Sequence, residues 1–221
     1  LLKKKLLGWP FAYIFEKFFF LKIDIFLYVG VLVPRYETSI FISKLLNIIY
    51  KNNFKKIFEF GYGSGIMSLF LISCDTMYLN GIDCDLNSLL IANKNLYNLK
   101  KKNCFFYYNN WNIFYCYNEK FDVIFSNPPY VSYKSFVILK NYLVPFESKK
   151  SLFSDENGLY CIFFIITNSY YMLSNNGFLI IEHSYRHSYF IQMKFKRCGY
   201  KIIKTYFDEK YLNRITIGYK Y

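Results

Sequence analysis

Asn127-Pro128-Pro129-Tyr130 carries the residue types in this chain best suited to specific chemistry. Asn127 offers a side-chain carbonyl that can accept hydrogen bonds from an NH₂ group. Pro128 lacks an N–H and has a fixed φ, so its own carbonyl can be held toward a ligand as a second acceptor. Tyr130 offers a ring on which a planar group can stack. Together these suit an amide or aromatic-amine nitrogen, whose lone pair is delocalised and which attacks poorly. Two acceptors would hold its NH₂ group while the nitrogen becomes pyramidal and attacks a sulfonium methyl. Such a reaction needs no general base before attack, and in-line positioning does most of the work. The plainer reading is an Asn-Pro-Pro turn that ends a strand, so the surrounding elements must decide between them.

Those elements alternate in type. Helical or strand spacing predicts a hairpin over 18–33 with its turn near Tyr28-Val29-Gly30, a helix over 38–50, a strand over 56–60 and a helix over 66–73. A strand over 76–82, a helix over 86–99, and strands over 103–108 and 121–126 follow. After them come a buried helix over 158–173, a turn at Asn175-Asn176-Gly177, a strand over 178–182 and a helix over 189–198. Two strands, 201–207 and 214–219, close the chain. Alternation of this kind predicts an α/β fold, a mostly parallel sheet with helices on both faces. The Asn-Pro-Pro-Tyr segment then lies at the carboxyl end of a strand, where ligands bind in open sheets.

A second segment, Glu59-Phe60-Gly61-Tyr62-Gly63-Ser64-Gly65, follows the first core strand and opens a helix. Glycines there let the chain turn sharply and let the backbone approach a ligand. Asp83 ends the next strand, where a carboxylate can accept hydrogen bonds from both hydroxyls of a ribose. The pair fits NAD or S-adenosylmethionine (SAM), although Gly-x-Gly-x-Gly departs from the dinucleotide spacing. The bland alternative for Asp83 is a helix cap or surface carboxylate.

Composition bounds the rest. The 221 residues suffice for one α/β domain, and 54% hydrophobic with 19% charged residues is a globular balance. The 24 Tyr and 25 Phe exceed any packing need and fit an AT-rich coding sequence. The same drift accounts for much of the +13 net charge, which would otherwise suggest an acidic or nucleic-acid partner. The six cysteines (Cys74, Cys84, Cys104, Cys116, Cys161, Cys198) form no Cys-x-x-Cys pair, which argues against a zinc knuckle and suits a reducing cytoplasm. His183 and His187 could share a helix face but lack the glutamate of a His-Glu-x-x-His site, so no metal is expected. The best apolar run, 159–173, contains Thr167, Asn168 and Ser169 and is shorter than the ~20 residues of a membrane span. No membrane partner is expected.

With these motifs in place, the chain resembles the release-factor glutamine methyltransferases from Gly8 to its C-terminus. Gly8-Trp9-Pro10-Phe11-Ala12-Tyr13-Ile14 is similar to the family's entry segment. Val31-Leu32-Val33-Pro34-Arg35-Tyr36-Glu37-Thr38 is similar to its hairpin exit, a segment that adenine methyltransferases generally lack. The resemblance implies a SAM-dependent methyltransferase fold of class I: a seven-stranded, mostly parallel sheet preceded by a short β-hairpin. Residues 1–35 would be an N-terminal remnant with the hairpin, and 36–221 the methyltransferase domain. By resemblance, Glu59, Gly61, Tyr62, Gly63, Ser64 and Gly65 hold the methionine part of SAM, Asp83 its ribose, and Trp111 borders the adenine. Asn127, Pro128, Pro129 and Tyr130 would bind the substrate glutamine, with Asn127 also touching the cofactor. Glu182-His183 and Asp208 with Arg214 match paired residues late in the family pattern. The implied substrate is the glutamine of the Gly-Gly-Gln loop in peptide-chain release factors, in the cytoplasm. A ribosomal-protein glutamine, an adenine amine in RNA or DNA flipped into the same pocket, and a domain that binds SAM without turnover are the alternatives. Departures stand at Tyr62, Tyr36, Ser39, Asn110 and Phe153-Ser154-Asp155. The chain opens on Leu1, and most of the family's N-terminal helical domain is expected to be absent.

Overall fold

In the computed structural model, residues 2–35, 37–72, 77–111, 119–132, 135 and 146–221 are described. Strands β3 (Lys56–Phe60), β4 (Tyr78–Asp83), β5 (Cys104–Tyr108), β6 (Phe121–Ser126), β7 (Leu173–Glu182), β8 (Lys201–Phe207) and β9 (Asn213–Tyr219) form one sheet in the order β5-β4-β3-β6-β7-β9-β8. β5, β4, β3, β6 and β7 are parallel, while β9 runs antiparallel to both β7 and β8. The expected seven-stranded, mostly parallel sheet is what the chain forms. It winds outward from β3 through β4 to β5, then returns to β6 on the other side of β3. The β3/β6 boundary is therefore the point where the strand order reverses, and the crevice above it is the natural ligand site.

Side-chain alternation along the strands feeds two cores. Two short helices, α1 (Leu2–Leu6) and α2 (Phe11–Phe15), open the chain. On one face Ile57, Leu79, Val123 and Phe125 pack with Phe41, Ile42, Leu45 and Ile49 of α3 (Glu37–Asn52) and with Ile66, Met67, Leu69 and Leu71 of α4 (Ile66–Leu71). On the other, Phe58, Phe60, Ile82 and Ile124 pack with the long C-terminal helices. These are Tyr160–Met172, which supplies Ile162, Ile165 and Ile166, and Ser188–Arg197, which supplies Ile191 and Phe195. Burying such aliphatic and aromatic side chains contributes about 1.5–3 kcal/mol apiece.

The N-terminal segment differs from the expected hairpin. Strands β1 (Lys17–Phe20) and β2 (Ile23–Phe26) pair antiparallel, and the turn is Leu21-Lys22, both at positive φ, rather than Tyr28-Val29-Gly30. Gly30 has a φ of 97° for another reason: its N–H and carbonyl bond Phe146 and Ser148, joining the exit segment to a distant loop. The hairpin also meets α5 (Leu86–Asn98). Asn95 is fully buried; its Oδ1 accepts from the Phe26 N–H at 2.7 Å, and its Nδ2 donates to the carbonyls of Phe26 and Ser64 at 3.1 and 3.0 Å. One side chain thus ties the hairpin to the glycine loop. Asn95→Ala is expected to cost about 3 kcal/mol, because it orphans the buried Ser64 carbonyl and the half-buried N–H and carbonyl of Phe26. A shift in the urea midpoint with an unchanged m-value would check this.

Elsewhere the observed elements track the expected ones. The helix expected over 158–173 is instead Tyr160–Met172, preceded by a short turn of helix, Asp155–Gly158, that Gly158 ends at φ 90°. The expected turn at Asn175-Asn176-Gly177 lies within β7, where the register against β6 jumps from Leu173 to Phe178 and Asn176 takes a φ of 68°. The expected ends at Ser73 and Thr76, together with Tyr36, Cys74 and Cys116, lie outside the described residues. Strand β8 is one edge of the sheet; its register slips between Lys201 and Lys204, and Ile202 takes a φ of 45°. Among the described residues no helix is long and apolar enough to cross a membrane.

Candidate active site

The glycine loop leaves β3 and closes on its neighbour: Gly61 N–H bonds the Ile82 carbonyl at 2.7 Å, and Gly65 N–H bonds that of Tyr62 at 2.8 Å. Gly61 and Gly65 have φ of 72° and 77°. A Cβ on Gly61 would stand 3.2 Å from the Trp111 ring, and one on Gly65 would stand 2.9 Å from Phe106. Only glycine fits this turn at those two positions. Tyr62, where the family pattern has a small residue, is accommodated from behind. Its ring packs on Phe106 with centroids 4.6 Å apart, its hydroxyl donates to the Tyr107 carbonyl, and Gly81 leaves the space.

Asp83 ends β4 facing this loop. Its Oδ2 accepts from Gly63 N–H and its Oδ1 from Asp85 N–H, both at 2.9 Å. Burial pushes the carboxyl up to about 6, against the pull of those N–H donors. Each oxygen keeps a second lone pair, so the carboxylate can still accept from two vicinal hydroxyls. The folded state holds the proton more tightly than the unfolded one, so this group costs stability as pH rises from its ordinary range toward about 6. For binding, the ionised form is the better acceptor. SAM affinity is therefore expected to fall as pH drops through about 6, and Asp83→Ala should weaken binding about 10²-fold and remove that dependence. Calorimetric titration at several pH values would show it.

Glu59 is fully buried in β3 and does not line the cavity; its Oε2 accepts from Ser68 Oγ, and burial pushes it up to about 8.

Gly61, Tyr62, Gly63, Ser64, Asp83 and Trp111 do line one cavity of about 290 Å³, and Asn127 and Pro129 form part of its far wall. Trp111 stands edge-on to Phe60, and its Nε1 is buried without a hydrogen-bond partner. A second, smaller cavity of about 30 Å³ adjoins it, lined by Asn127, Pro128, Pro129 and Tyr130 with Arg35 and Leu152. Asn127, Pro129, Leu32 and Ser151 belong to both. Ser126 Oγ donates to the Phe60 carbonyl at 2.7 Å and so locks the end of β6, where Asn127 begins, to the end of β3.

Several lining residues carry no signal of their own in the sequence. Leu32, Pro34 and Thr38 lie in the hairpin exit, which the family resemblance marked without a role. Ser151, Tyr160 and Phe164 belong to no motif, and Phe153 stands out in the sequence only as a departure from the family pattern. His183 and His187 do not share a helix. His183 ends in a neutral chain of hydrogen bonds, with burial lowering it to about 4. The Ser184 carbonyl can only accept, so Nδ1 carries the proton, and Nε2 accepts from the Thr216 hydroxyl at 2.8 Å. Arg214 bonds Asp208 Oδ2 at 3.0 and 3.1 Å and reaches the His183 carbonyl. Among the described residues no cluster could hold a metal ion, and Cys84, Cys104, Cys161 and Cys198 are free thiols.

A glycine loop and a carboxylate facing it at the reversal point of this sheet, with Asn-Pro-Pro-Tyr beside them, define a SAM-dependent methyltransferase. The unpartnered indole N–H, the open lone pairs of Asp83 and the glycine-lined wall all fit an adenosine bearing a methionine. The family described as methyltransferase small domain matches residues 38–149, and the chain belongs to the release factor glutamine methyltransferase family. It is 37% identical over 222 residues to the release factor glutamine methyltransferase of Buchnera aphidicola subsp. Acyrthosiphon pisum, covering all of this chain and 79% of that one. Against the enzyme of that name from Salmonella typhimurium it is 28% identical, covering 99% and 78%. In fold it is similar to a methyltransferase from Pyrococcus furiosus, with a TM-score of 0.65 at 18% identity over 98% of this chain and 93% of that one. Magnesium protoporphyrin IX methyltransferase from Synechocystis, solved with bound SAM, gives 0.56 at 12% identity over 84% and 80%.

Proposed function

We propose that this chain methylates the side-chain amide nitrogen of the glutamine in the Gly-Gly-Gln motif of peptide-chain release factors. The observation that carries the reading is the shared wall: Asn127 and Pro129 border both the larger cavity and the smaller one. When bound, SAM supplies an electrophilic methyl on a sulfonium. Gly61 to Gly65, Asp83 and Trp111 would hold it in the larger cavity. Asn127 and the Pro128 carbonyl would accept the two N–H bonds of the glutamine amide, and the Tyr130 ring would bound its plane. The amide nitrogen would thereby be turned toward the methyl, the carbon–sulfur bond giving way to the new carbon–nitrogen bond and leaving a neutral thioether, and the proton of the then acidic nitrogen would pass to water. Orientation of the reacting pair accounts for most of the rate gain. A cytoplasmic setting suits this reading, since translation termination and free thiols both belong there.

Incubating the protein with SAM and a release factor, then measuring the Gly-Gly-Gln peptide by mass spectrometry, tests it. One added methyl group on the glutamine, absent when that glutamine is replaced, is the expected result. No gain while SAM remains bound, or methyl transfer to an adenine amine of RNA instead, would overturn it.

A further inference from the structure

Glu182 is the last residue of β7 and is almost entirely buried, at 3% exposure. Its Oε1 faces the Tyr130 hydroxyl at 3.5 Å, a loose contact beyond the roughly 2.5–3.0 Å of a well-formed O–H···O bond, with the hydroxyl as donor. Its Oε2 is buried without a hydrogen-bond partner. An unsatisfied buried carboxylate oxygen is costly. The charged and titratable groups acting on it come from four places: Arg35 in the hairpin exit, Glu37 at the start of α3, Tyr130 after β6 and Arg214 on β9. None is near enough to form a salt bridge with it, so among these groups Tyr130 is the hydrogen-bond partner.

Tyr130 is held at its other end by backbone. Val131 N–H bonds the Leu152 carbonyl at 3.0 Å, and the Val131 carbonyl accepts from Ser154 N–H at 3.1 Å. Fixing the backbone still leaves the ring free to swing about its χ angles. A hydroxyl tether inside the protein removes that freedom.

We propose that Glu182 is a positioning residue for methyl transfer: its buried carboxylate holds the Tyr130 hydroxyl and so fixes the ring that walls the smaller cavity. The inference rests on the glutamine-methylation reading, because the ring matters only if a planar group lies against it. The ionised carboxylate is the stronger acceptor, and burial pushes this carboxyl up to about 7, in spite of the Arg214 and Arg35 cations. Turnover should therefore rise with pH through about 7.

The test is a double-mutant cycle on kcat with the full chain, using Glu182→Leu, Tyr130→Phe and the pair. Leucine fills the buried volume without an acceptor; phenylalanine keeps the ring without the hydroxyl. Each single change is expected to lower kcat about tenfold, with SAM affinity unchanged by calorimetry and the pair no worse than either alone. Glu182→Gln, which keeps an acceptor, should recover most of the loss and flatten the rise near pH 7. Independent, multiplying effects would overturn the assignment, as would a loss of SAM affinity in step with kcat. Should Glu182→Leu not fold, Tyr130→Phe and Glu182→Gln decide alone: kcat within about twofold for the first, or an unchanged pH profile for the second, overturns it. Wild-type protein that transfers no methyl to the release-factor glutamine would instead sink the underlying reading.

Discussion

Asn127→Ala is expected to lower methyl transfer by about 10²–10³-fold while SAM binds almost as before. The reason lies in which surfaces the residue serves. In the larger cavity Asn127 is one wall residue among more than twenty, and the groups that would grip the cofactor (the glycine turn, Asp83 and Trp111) stand on β3, β4 and after β5. In the smaller cavity it is the one side-chain amide, beside the polar groups of Arg35, Tyr130 and Ser151. On the proposed reading, alanine would remove an acceptor from the substrate amide and leave the glycine turn, Asp83 and Trp111 in place. The loss should then show in kcat far more than in cofactor affinity. Turnover of Asn127→Ala within tenfold of wild type would show that the amide is held by other groups.

The second large effect is expected at a residue that lines neither cavity. Gly158 sits at φ 90°, and a Cβ built there would stand 2.2 Å from the Tyr130 carbonyl oxygen and 3.0 Å from His187 Cε1. Neither neighbour can move freely. The Tyr130 carbonyl belongs to backbone pinned through Val131, and His187 Nε2 is hydrogen-bonded to the Asn157 carbonyl at 3.1 Å. Gly158→Ala should therefore displace the Asn-Pro-Pro-Tyr segment by a substantial fraction of an ångström, enough for about 10²-fold in kcat. The glycine loop is on another strand and SAM affinity should hold. Kinetics beside a calorimetric SAM titration would separate the two; a parallel loss in both would mean that the domain, not the substrate segment, had moved.

These residues also show what a sequence can and cannot reveal about such a site. Gly61, Gly65 and Asp83 were legible because their work is local: a turn that only glycine can make, followed by a carboxylate at the next strand end. Asn127 to Tyr130 were legible because a strand runs straight into them. Gly158 reads in the sequence only as helix, and its constraint is hidden because the Tyr130 carbonyl is 28 positions away in the chain. Asn95 sat inside a helical pattern as one more polar residue, yet it joins Phe26 to Ser64. The hairpin turn was misplaced because Leu21-Lys22 contains none of the residues that normally announce a turn, whereas Gly30 does and is used elsewhere. Glu182 was matched as half of a Glu-His pair, but adjacent residues at a strand end point to opposite sides: Glu182 meets Tyr130, and His183 meets Thr216.

The slipped register of β8 has a consequence beyond the domain itself. A straight edge strand offers a row of free backbone groups on which another chain can add a strand and begin an aggregate. Here that row is interrupted where Ile202 turns to φ 45°, and exposed Lys201 and Lys204 flank the interruption. An incoming strand would meet a kink it cannot match and two cations it would have to bury. In a chain so rich in phenylalanine, tyrosine and isoleucine, that irregular edge is a poor template for a second chain.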